Sequence, residues 1–293
     1  MRSVWSKADL HVHTTHSDGH AGVEEVLEHA ARRTDLRVIA ITDHDTIDGA
    51  LEARALAQEY GIEVVVGEEV STADGELLAL FVERRVPPGR LAAETIAAVH
   101  EQGGLAVAAH PYHRLVPSMG RRGLLGRSSG PDPEWSIDAI ETFNAGLVSP
   151  RNNRRAAALA AALGLPALGG SDSHHLGTIG YGHTLFQGRG AANLRAAMEF
   201  GRTVAAGRYW GLLRTAEVAG LIVRRELRDP KKRMGRKTWD RRPPSLAPEY
   251  EADFHAREPT TVSTRPESRA SGSFTATSRT TPPTTTRRRK VAA

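Results

Sequence analysis

Apolar and polar positions divide the chain into short β-rich runs separated by segments of helical period. The runs are 37–42 (RVIAIT), 62–70 (IEVVVGEEV), 76–82 (ELLALFV), 105–110 (LAVAAH), 137–143 (IDAIETF), 165–170 (LPALGG) and 182–186 (GHTLF), with a shorter apolar start ahead of residue 11. Between the first of these, 22–33 (GVEEVLEHAARR) places Val23, Val26, Leu27 and Ala30 on one face at the 3.6-residue repeat of a helix. Segments 48–61, 91–104 and 152–164 show the same repeat and end at glycine, the residue that most readily closes a helix in the left-handed conformation. Strand–helix alternation of this kind predicts an α/β fold with a parallel sheet or barrel. In such folds the chemistry gathers at the C-terminal strand ends.

The pattern stops near residue 215. Residues 216–293 hold 18 Lys and Arg against 9 Asp and Glu, in a stretch rich in Arg, Thr, Pro and Ser with few apolar positions. Such a composition buries too little to offset ordering entropy and reads as a disordered tail, either solvated or in contact with nucleic acid or a partner. Residues 1–215 carry 21 basic and 25 acidic residues, so the net charge of +5 describes the tail and not the body. The expected organisation is one domain over 1–215 and a low-complexity tail over 216–293. No apolar run reaches the ~18–20 residues of a membrane span, and MRSVWSKADL lacks a secretory pattern. Cysteine is absent, which removes disulfides and thiolate sites and fits a cytoplasmic protein. Any metal must then be held by nitrogen and oxygen.

Those ligand types are present, and their positions are not random. Twelve of the thirteen histidines precede residue 184. His11 and His13, two residues apart on a strand, share a face and can chelate one ion. Further clusters follow other strands: Asp43, His44 and Asp45 in TDHDT, Glu68 and Glu69 in GEEVS, His110 and His113 in AHPYHR, and Asp172, His174 and His175 in SDSHH. Each motif alone is weak. Their recurrence at the strand ends where a barrel gathers its loops points to a metal centre, because imidazoles crowded on one rim for packing alone would be costly to satisfy.

In order, DLHVHTTHSDG, ITDHDT, GEEVS, AHPYHR, IETFN and GGSDSHH resemble the motifs of the polymerase-and-histidinol-phosphatase (PHP) superfamily, and within it the stand-alone metal-dependent phosphoesterases. The likeness covers residues 8 to about 210. It implies a distorted seven-stranded β/α barrel whose C-terminal rim holds two or three divalent ions (Mn, Zn or Fe). By motif, His11, His13, Glu69 and Asp172 would hold the first. Glu69 would bridge to a second shared with His110, and Asp18, His44 and His174 would hold a third. Gly67, in a Gly-x-Glu pattern, selects Glu69 over Glu68; strand alternation alone leaves that choice open. Two departures bear on the second ion. Glu76 stands where similar proteins often have histidine after Asp-Gly, and strand 137–144 offers Glu141 and Asn144 where some members have His or Cys. Glu76 and Asn144 are therefore additional ligand candidates, and a carboxylate would favour harder ions such as Mn²⁺. Glu76 reads equally well as a turn residue.

The resemblance implies hydrolysis of a phosphoester, in a small phosphomonoester, a nucleotide or a short oligonucleotide. The expected attack is by a hydroxide bridging two ions, in line with the leaving oxygen. Arg114 is the candidate for gripping a non-bridging oxygen, against a plain surface role. His174 and Asp43 are candidates for proton transfer, with a ligand role for His174 and a supporting role behind the ligands for Asp43 as the other readings. His16 is expected behind the ligands or near substrate, and His20 in solvent. The basic, glycine-rich segment 111–136 reads as a substrate-facing loop in which Arg121, Arg122 or Arg127 contacts phosphate. Two other functions fit the same residues: a metal-stabilised scaffold that binds nucleic acid or a partner through its tail, and a metal-dependent C–N hydrolase.

Overall fold

The computed structural model of the chain describes residues 4–113, 117–120, 136–146 and 150–210. Its strands are β1 (Trp5–Asp9), β2 (Val38–Ile41), β3 (Glu63–Thr72), β4 (Gly75–Leu80), β5 (Leu105–Ala108), β6 (Ala139–Asn144), β7 (Ala167–Gly170), β8 (Gly182–Gln187) and β9 (Val204–Gly207). Its helices are α1 (Val23–Arg33), α2 (Asp48–Tyr60), α3 (Ala92–Glu101), α4 (Pro150–Leu163) and α5 (Gly190–Glu199). Arg114, Arg121, Arg122, Arg127 and the tail 216–293 lie outside the described residues.

Helices α1 to α4 form where the apolar repeat predicts them, and α5 is an addition. In α1, Val23, Val26, Leu27 and Ala30 are buried, and Glu25 reaches back to the amide of Gly22 at 2.9 Å, satisfying a donor the helix leaves open. Gly61, Gly103 and Gly164 close α2, α3 and α4 with φ of 68°, 72° and 67°.

The strands make one sheet in the order β7-β6-β5-β4-β3-β2-β1-β8-β9. β1, β2 and β3 are parallel, as are β5, β6 and β7, while β4 runs against both of its neighbours. The first seven strands curl into a nearly closed barrel. Val12, just past β1, bridges in parallel to Ser173, just past β7. The amide of His13 donates to Ser173 O at 2.9 Å, and the amide of Ser173 to His11 O at 3.2 Å. β8 pairs antiparallel with β1 and packs against β7, where Thr184 Oγ1 exchanges hydrogen bonds with Gly169 at 2.9 and 3.0 Å.

Two apolar layers follow. Ala8, Leu10, Val38, Ala40, Val65, Leu78, Leu80, Val107 and Leu168 fill the barrel with Phe186. Ile39, Ile41, Val66 and Ala106 face outward and pack with Val26, Leu27, Ile96 and Leu159 of the helices. The sheet is a distorted barrel and not parallel throughout, because β4, β8 and β9 run antiparallel to their neighbours. Only Ala73 and Asp74 connect β3 to β4, which is room for a hairpin and far too little for a crossover. Among the described residues, no helix is long and apolar enough to cross a membrane.

Candidate metal centre

The first ligand pair depends on a local irregularity in β1. Ala8 and Leu10 belong to the core inside the barrel, whereas Val12 belongs to the core beneath the helices. The alternation thus slips after Leu10, and His11 and His13, flanking Val12, both turn inward. The loop that follows is held by Asp43. Its Oδ1 accepts from the Thr14 amide (2.7 Å) and from Ser17 Oγ (2.5 Å), and its Oδ2 accepts from Thr14 Oγ1 (2.7 Å). This loop delivers Asp18 to the rim. Asp43 itself is buried behind the ligands with both oxygens engaged.

Alternation along β3 decides between the two glutamates. Val65 faces in and Val66 out, so Glu69 faces in and Glu68 out. Glu68 Oε1 accepts from the Val86 amide at 2.6 Å, and burial pushes its carboxyl up to about 8. The strand-end turns carry the remaining groups. Four described non-glycine residues have positive φ, and three of them, Asp45 (54°), His110 (25°) and Asp172 (53°), stand at this rim. Each such conformation costs about 1–3 kcal/mol and survives only where its surroundings enforce it.

Side chains from five parts of the chain converge. His11 Nε2 lies 3.2 Å from Glu69 Oε2 and 3.5 Å from Asp172 Oδ1, and His13 Nε2 lies 3.3 and 3.4 Å from the same two atoms. Ligands about 2.0–2.1 Å from a tetrahedral ion stand about 3.3 Å from one another, and each of these four imidazole–carboxylate separations is close to that. Ligand atoms of His11, His13 and Asp172 lie within 4.8 Å of one another, as do those of His11, Glu69 and His110. Glu69 Oε1 meets His110 Nε2 at 2.9 Å, and Glu69 Oε2 meets His44 Nδ1 at 3.3 Å. Around Asp18 Oδ1 are His174 Nε2 at 3.0 Å, His44 Nε2 at 3.7 Å and His13 Nδ1 at 3.8 Å. His11 Nε2 and both ring nitrogens of His13 are buried without a hydrogen-bond partner. Buried nitrogens of this kind are costly unless something binds their lone pairs. The nitrogen and oxygen donors therefore fit divalent ions.

The charge pattern agrees. Burial opposes a charged His11 ring, but Asp172, Glu69 and Glu141 outweigh it and raise its pKa well above the ordinary imidazole value. Burial likewise opposes ionised Glu69 and Asp172, yet His11 and its neighbours hold both carboxyls well below the usual carboxylate range. His110 and His174 are pushed up to about 9, burial being overcome by Glu69 beside the first and Asp18 beside the second. His13, buried and next to His174, is shifted the other way. Imidazoles and carboxylates of the rim are thus matched in charge, each shifted by the other.

Supporting groups lie behind these. Glu141 Oε1 accepts from His11 Nδ1 at 3.1 Å, fixing the tautomer that aims Nε2 at the cluster, and Glu141 Oε2 accepts from the His110 amide at 2.8 Å. Asn144 Nδ2 donates to Glu141 Oε2 (3.0 Å) and to Asp172 Oδ2 (3.2 Å), while its Oδ1 accepts from the Gly146 amide (2.9 Å). Both Asn144 groups are thus spent on holding other residues. Asp9 ties β1 to the turns after β7, accepting from Ser171 N (2.9 Å) and Gly180 N (2.7 Å). Inward parity in IETF could have revealed the role of Glu141; nothing local marks Asp9. His16 leans away to Glu52 Oε2 at 2.8 Å. His20 is half-buried rather than solvated, its Nδ1 donating to His174 O at 3.1 Å. His113 and His175 remain at the margin, the former edge-on to His110 with ring centres 5.9 Å apart.

A β/α barrel with one reversed strand and a rim of converging imidazoles and carboxylates is a scaffold for binding divalent ions. Comparison with known proteins makes the assignment specific: the PHP domain pattern matches residues 9–149, a PHP-associated pattern matches 150–203, and the chain belongs to the PHP family. It is 37% identical over 150 residues to an uncharacterised protein of Methanocaldococcus jannaschii, a match covering 47% of this chain and 82% of that one. It is 47% identical over 85 residues to the phosphoribosyl 1,2-cyclic phosphate 1,2-diphosphodiesterase of Eggerthella lenta, covering 27% of this chain and only 32% of the relative. Among solved structures, a two-domain protein of Bacteroides vulgatus containing a predicted PHP-like metal-dependent phosphoesterase shares the fold. Its TM-score is 0.59 at 20% identity, over 70% of this chain and 66% of the other.

Proposed function

We propose that the protein is a metal-dependent phosphoesterase acting on a phosphorylated small molecule, a nucleotide or a short oligonucleotide. The observation that carries this reading is the convergence of His11, His13 and Glu69, all buried, with half-buried Asp172, partnerless at the two imidazole Nε2 atoms and with every imidazole–carboxylate separation between 3.2 and 3.5 Å. These four residues would hold a first ion, Glu69 with His110 would hold a second, and Asp18, His44 and His174 would hold a third. Divalent ions at such a site supply Lewis acidity to a phosphoryl oxygen and make water a stronger nucleophile. The named diphosphodiesterase among the relatives supports a phosphoester over other hydrolysable bonds.

The chain's own residues provide positioning. Glu141 fixes the His11 ring and the backbone of His110 together, and Asn144 turns Asp172 so that Oδ1 faces the cluster and Oδ2 faces away. Asp43 clamps the loop bearing Asp18, so its contribution is to hold that carboxylate in reach of His44 and His174. Where no ion occupies the third position, proton transfer falls to the His174–Asp18 pair, which opens to solvent at 19% and 23% side-chain exposure beside His44 at 27%. Phosphoryl transfer needs little beyond such placement and positive charge.

The test is elemental analysis of the purified protein together with phosphomonoesterase and 5′-exonuclease assays in added Mn²⁺. Chelator-sensitive cleavage is expected, and His44→Ala should abolish it while leaving the melting curve nearly unchanged. A metal-loaded protein that cleaves no phosphoester, or cleavage indifferent to chelator, would sink the proposal.

A further inference from the structure

The helices that start from the rim differ in charge. Helix α2 carries Asp48, Glu52 and Glu59 against Arg54, whereas α4 carries Arg151, Arg154 and Arg155 and no acidic residue. Arg155 and Arg208 are both exposed, and each guanidinium rests on an aromatic ring: Arg155 lies 4.4 Å from the centre of Tyr112, and Arg208 3.9 Å from the centre of Tyr181. Neither forms an ion pair among the described residues, whereas Arg32, Arg54 and Arg195 pair with Glu28, Glu83 and Glu199 at 2.8–3.1 Å. An aromatic face holds a guanidinium in place without neutralising it.

Both pairs stand at the strand ends that form the rim. Tyr112 is two residues past His110. Tyr181 directly precedes β8 and Arg208 directly follows β9, where the Arg208 amide donates to Tyr181 O at 2.7 Å. Tyr209 joins the two pairs. Its ring is 37% exposed and lies 5.0 Å from that of Phe143. Asn153, two positions before Arg155 on α4, donates through Nδ2 to Tyr209 Oη at 3.3 Å and to Asn144 O at 2.9 Å. Asn144 in turn holds Asp172, so the strip from Arg155 through Tyr209 to Arg208 abuts the cluster on the Asp172 side.

Two fixed, unneutralised cations at the ends of a strip call for an anion with more than one charged centre. A guanidinium stacked on a ring keeps its N–H edge for phosphate oxygens. The exposed ring between them offers a flat apolar face. Cations that track a phosphate backbone, combined with aromatic rings on which bases stack, are the means by which single strands are bound without regard to sequence. A duplex keeps its base faces against one another and cannot use Tyr209. We propose that Arg155, Tyr209 and Arg208 form a track for a single-stranded oligonucleotide, the arginines on its phosphates and Tyr209 under a base, leading the strand to the cluster beside Asp172. The track deepens the phosphoesterase reading, on which it rests for the identity of the scissile bond alone.

The experiment measures binding without cleavage. The full chain, in chelator, is titrated into a short fluorescently labelled single-stranded oligonucleotide and followed by anisotropy, so the basic tail adds the same background to every variant. Arg155→Gln and Arg208→Gln should each weaken binding about fivefold or more, and the double variant should flatten the slope of log K against log[salt] by about 1.4, the share of two phosphates on a single strand. Tyr209→Ala should weaken binding by a similar factor, while Tyr209→Phe, which keeps the ring and loses the Asn153 bond, should bind as the wild type does. Should the Tyr209 variants fail to fold, the two exposed arginines decide alone. Wild-type affinity and salt slope in the double variant would overturn the proposal. An equal loss of affinity for a nucleoside monophosphate, or for a duplex of the same sequence, would overturn it too. A protein that binds the strand through these residues yet cleaves no phosphoester would leave the track standing and defeat the phosphoesterase reading alone, so the two fail separately.

Discussion

Glu141 shows how much one residue behind a metal ligand can control. Its two oxygens serve His11 Nδ1, the His110 amide and Asn144 Nδ2, all within 3.1 Å. An amide at this position could still accept from the backbone of His110 but would present a donor or a neutral oxygen to His11. The His11 ring would lose the partner that fixes its tautomer, and Nε2 would no longer be held with its lone pair toward Glu69 and Asp172. Glu141→Gln is thus expected to weaken ion binding by about 10–100-fold, read by competition with a chelator, with secondary structure retained. Equal affinity would mean that the ring is held by packing alone. The sequence displays Glu141 as an inward residue of a β-rich run but not its partner, which lies 130 positions away. The same limit applies to Glu68 and Glu69: alternation says that one faces in, and only the inward Val65 says which.

Closure of the barrel depends on bare backbone where β7 meets β8 and β1. A Cβ on Gly182 would fall 1.9 Å from Gly170 O, and one on Gly170 would lie 2.6 Å from both His11 Cβ and Glu141 Oε1. The glycines of LPALGG therefore do more than end a strand: they let β7 approach β1 closely enough for Asp172 to reach His11 and His13. Gly182→Ala must separate two backbones, since no flexible side chain is there to yield. A loss of about 1–3 kcal/mol is expected, seen as a drop in Tm of about 2–4 °C per kcal/mol. Gly22→Ala is the control, with φ −70° and its nearest new contact at 3.7 Å, and should stay within about 1 kcal/mol. Equal melting of the two variants would show that the seam is slack. At this scale the helices were legible, because their apolar stripes and closing glycines are local. The direction of β4 was not. GELLAL is buried along its whole length, so it has no alternation to read, and direction is encoded only in the two-residue turn before it.

Across the whole molecule, the rim couples protonation to stability. The clustering of ligand-type residues after successive strands was readable in the sequence because each motif is short and sits at a strand end. Which atoms face one another was not, since it depends on the slipped parity at Leu10 and on the positive φ at His110 and Asp172. Those contacts fix the pH response. In the metal-free protein His110 and His174 hold protons up to about 9 against an ordinary 6.5, and Glu68 and Glu76 up to about 8 against 4.5. The cause for both glutamates is burial, joined at Glu76 by the nearby Glu69 carboxylate. Between those limits the folded chain binds more protons than the unfolded chain, so its stability falls as pH rises through the window. Glu69, Asp172 and Asp18, whose pKa values are lowered, act at the acid end, and their contribution is lost only as pH falls below the ordinary carboxylate range. Divalent ions reverse the alkaline trend because they displace the protons on His110 and His174. Ion binding at pH 7 should therefore release protons, measurable by calorimetry in buffers of different ionisation enthalpy, and apparent affinity should climb until about pH 9. At a hundredfold excess over Kd an ion adds about 2.7 kcal/mol of stability. The Tm of the metal-free protein is expected to fall from pH 6 to 9, while the gap to the loaded protein widens over the same range. A metal-free Tm that rises through that window would show that the rim imidazoles are neutral without an ion, and that the carboxylates facing them do not govern their charge.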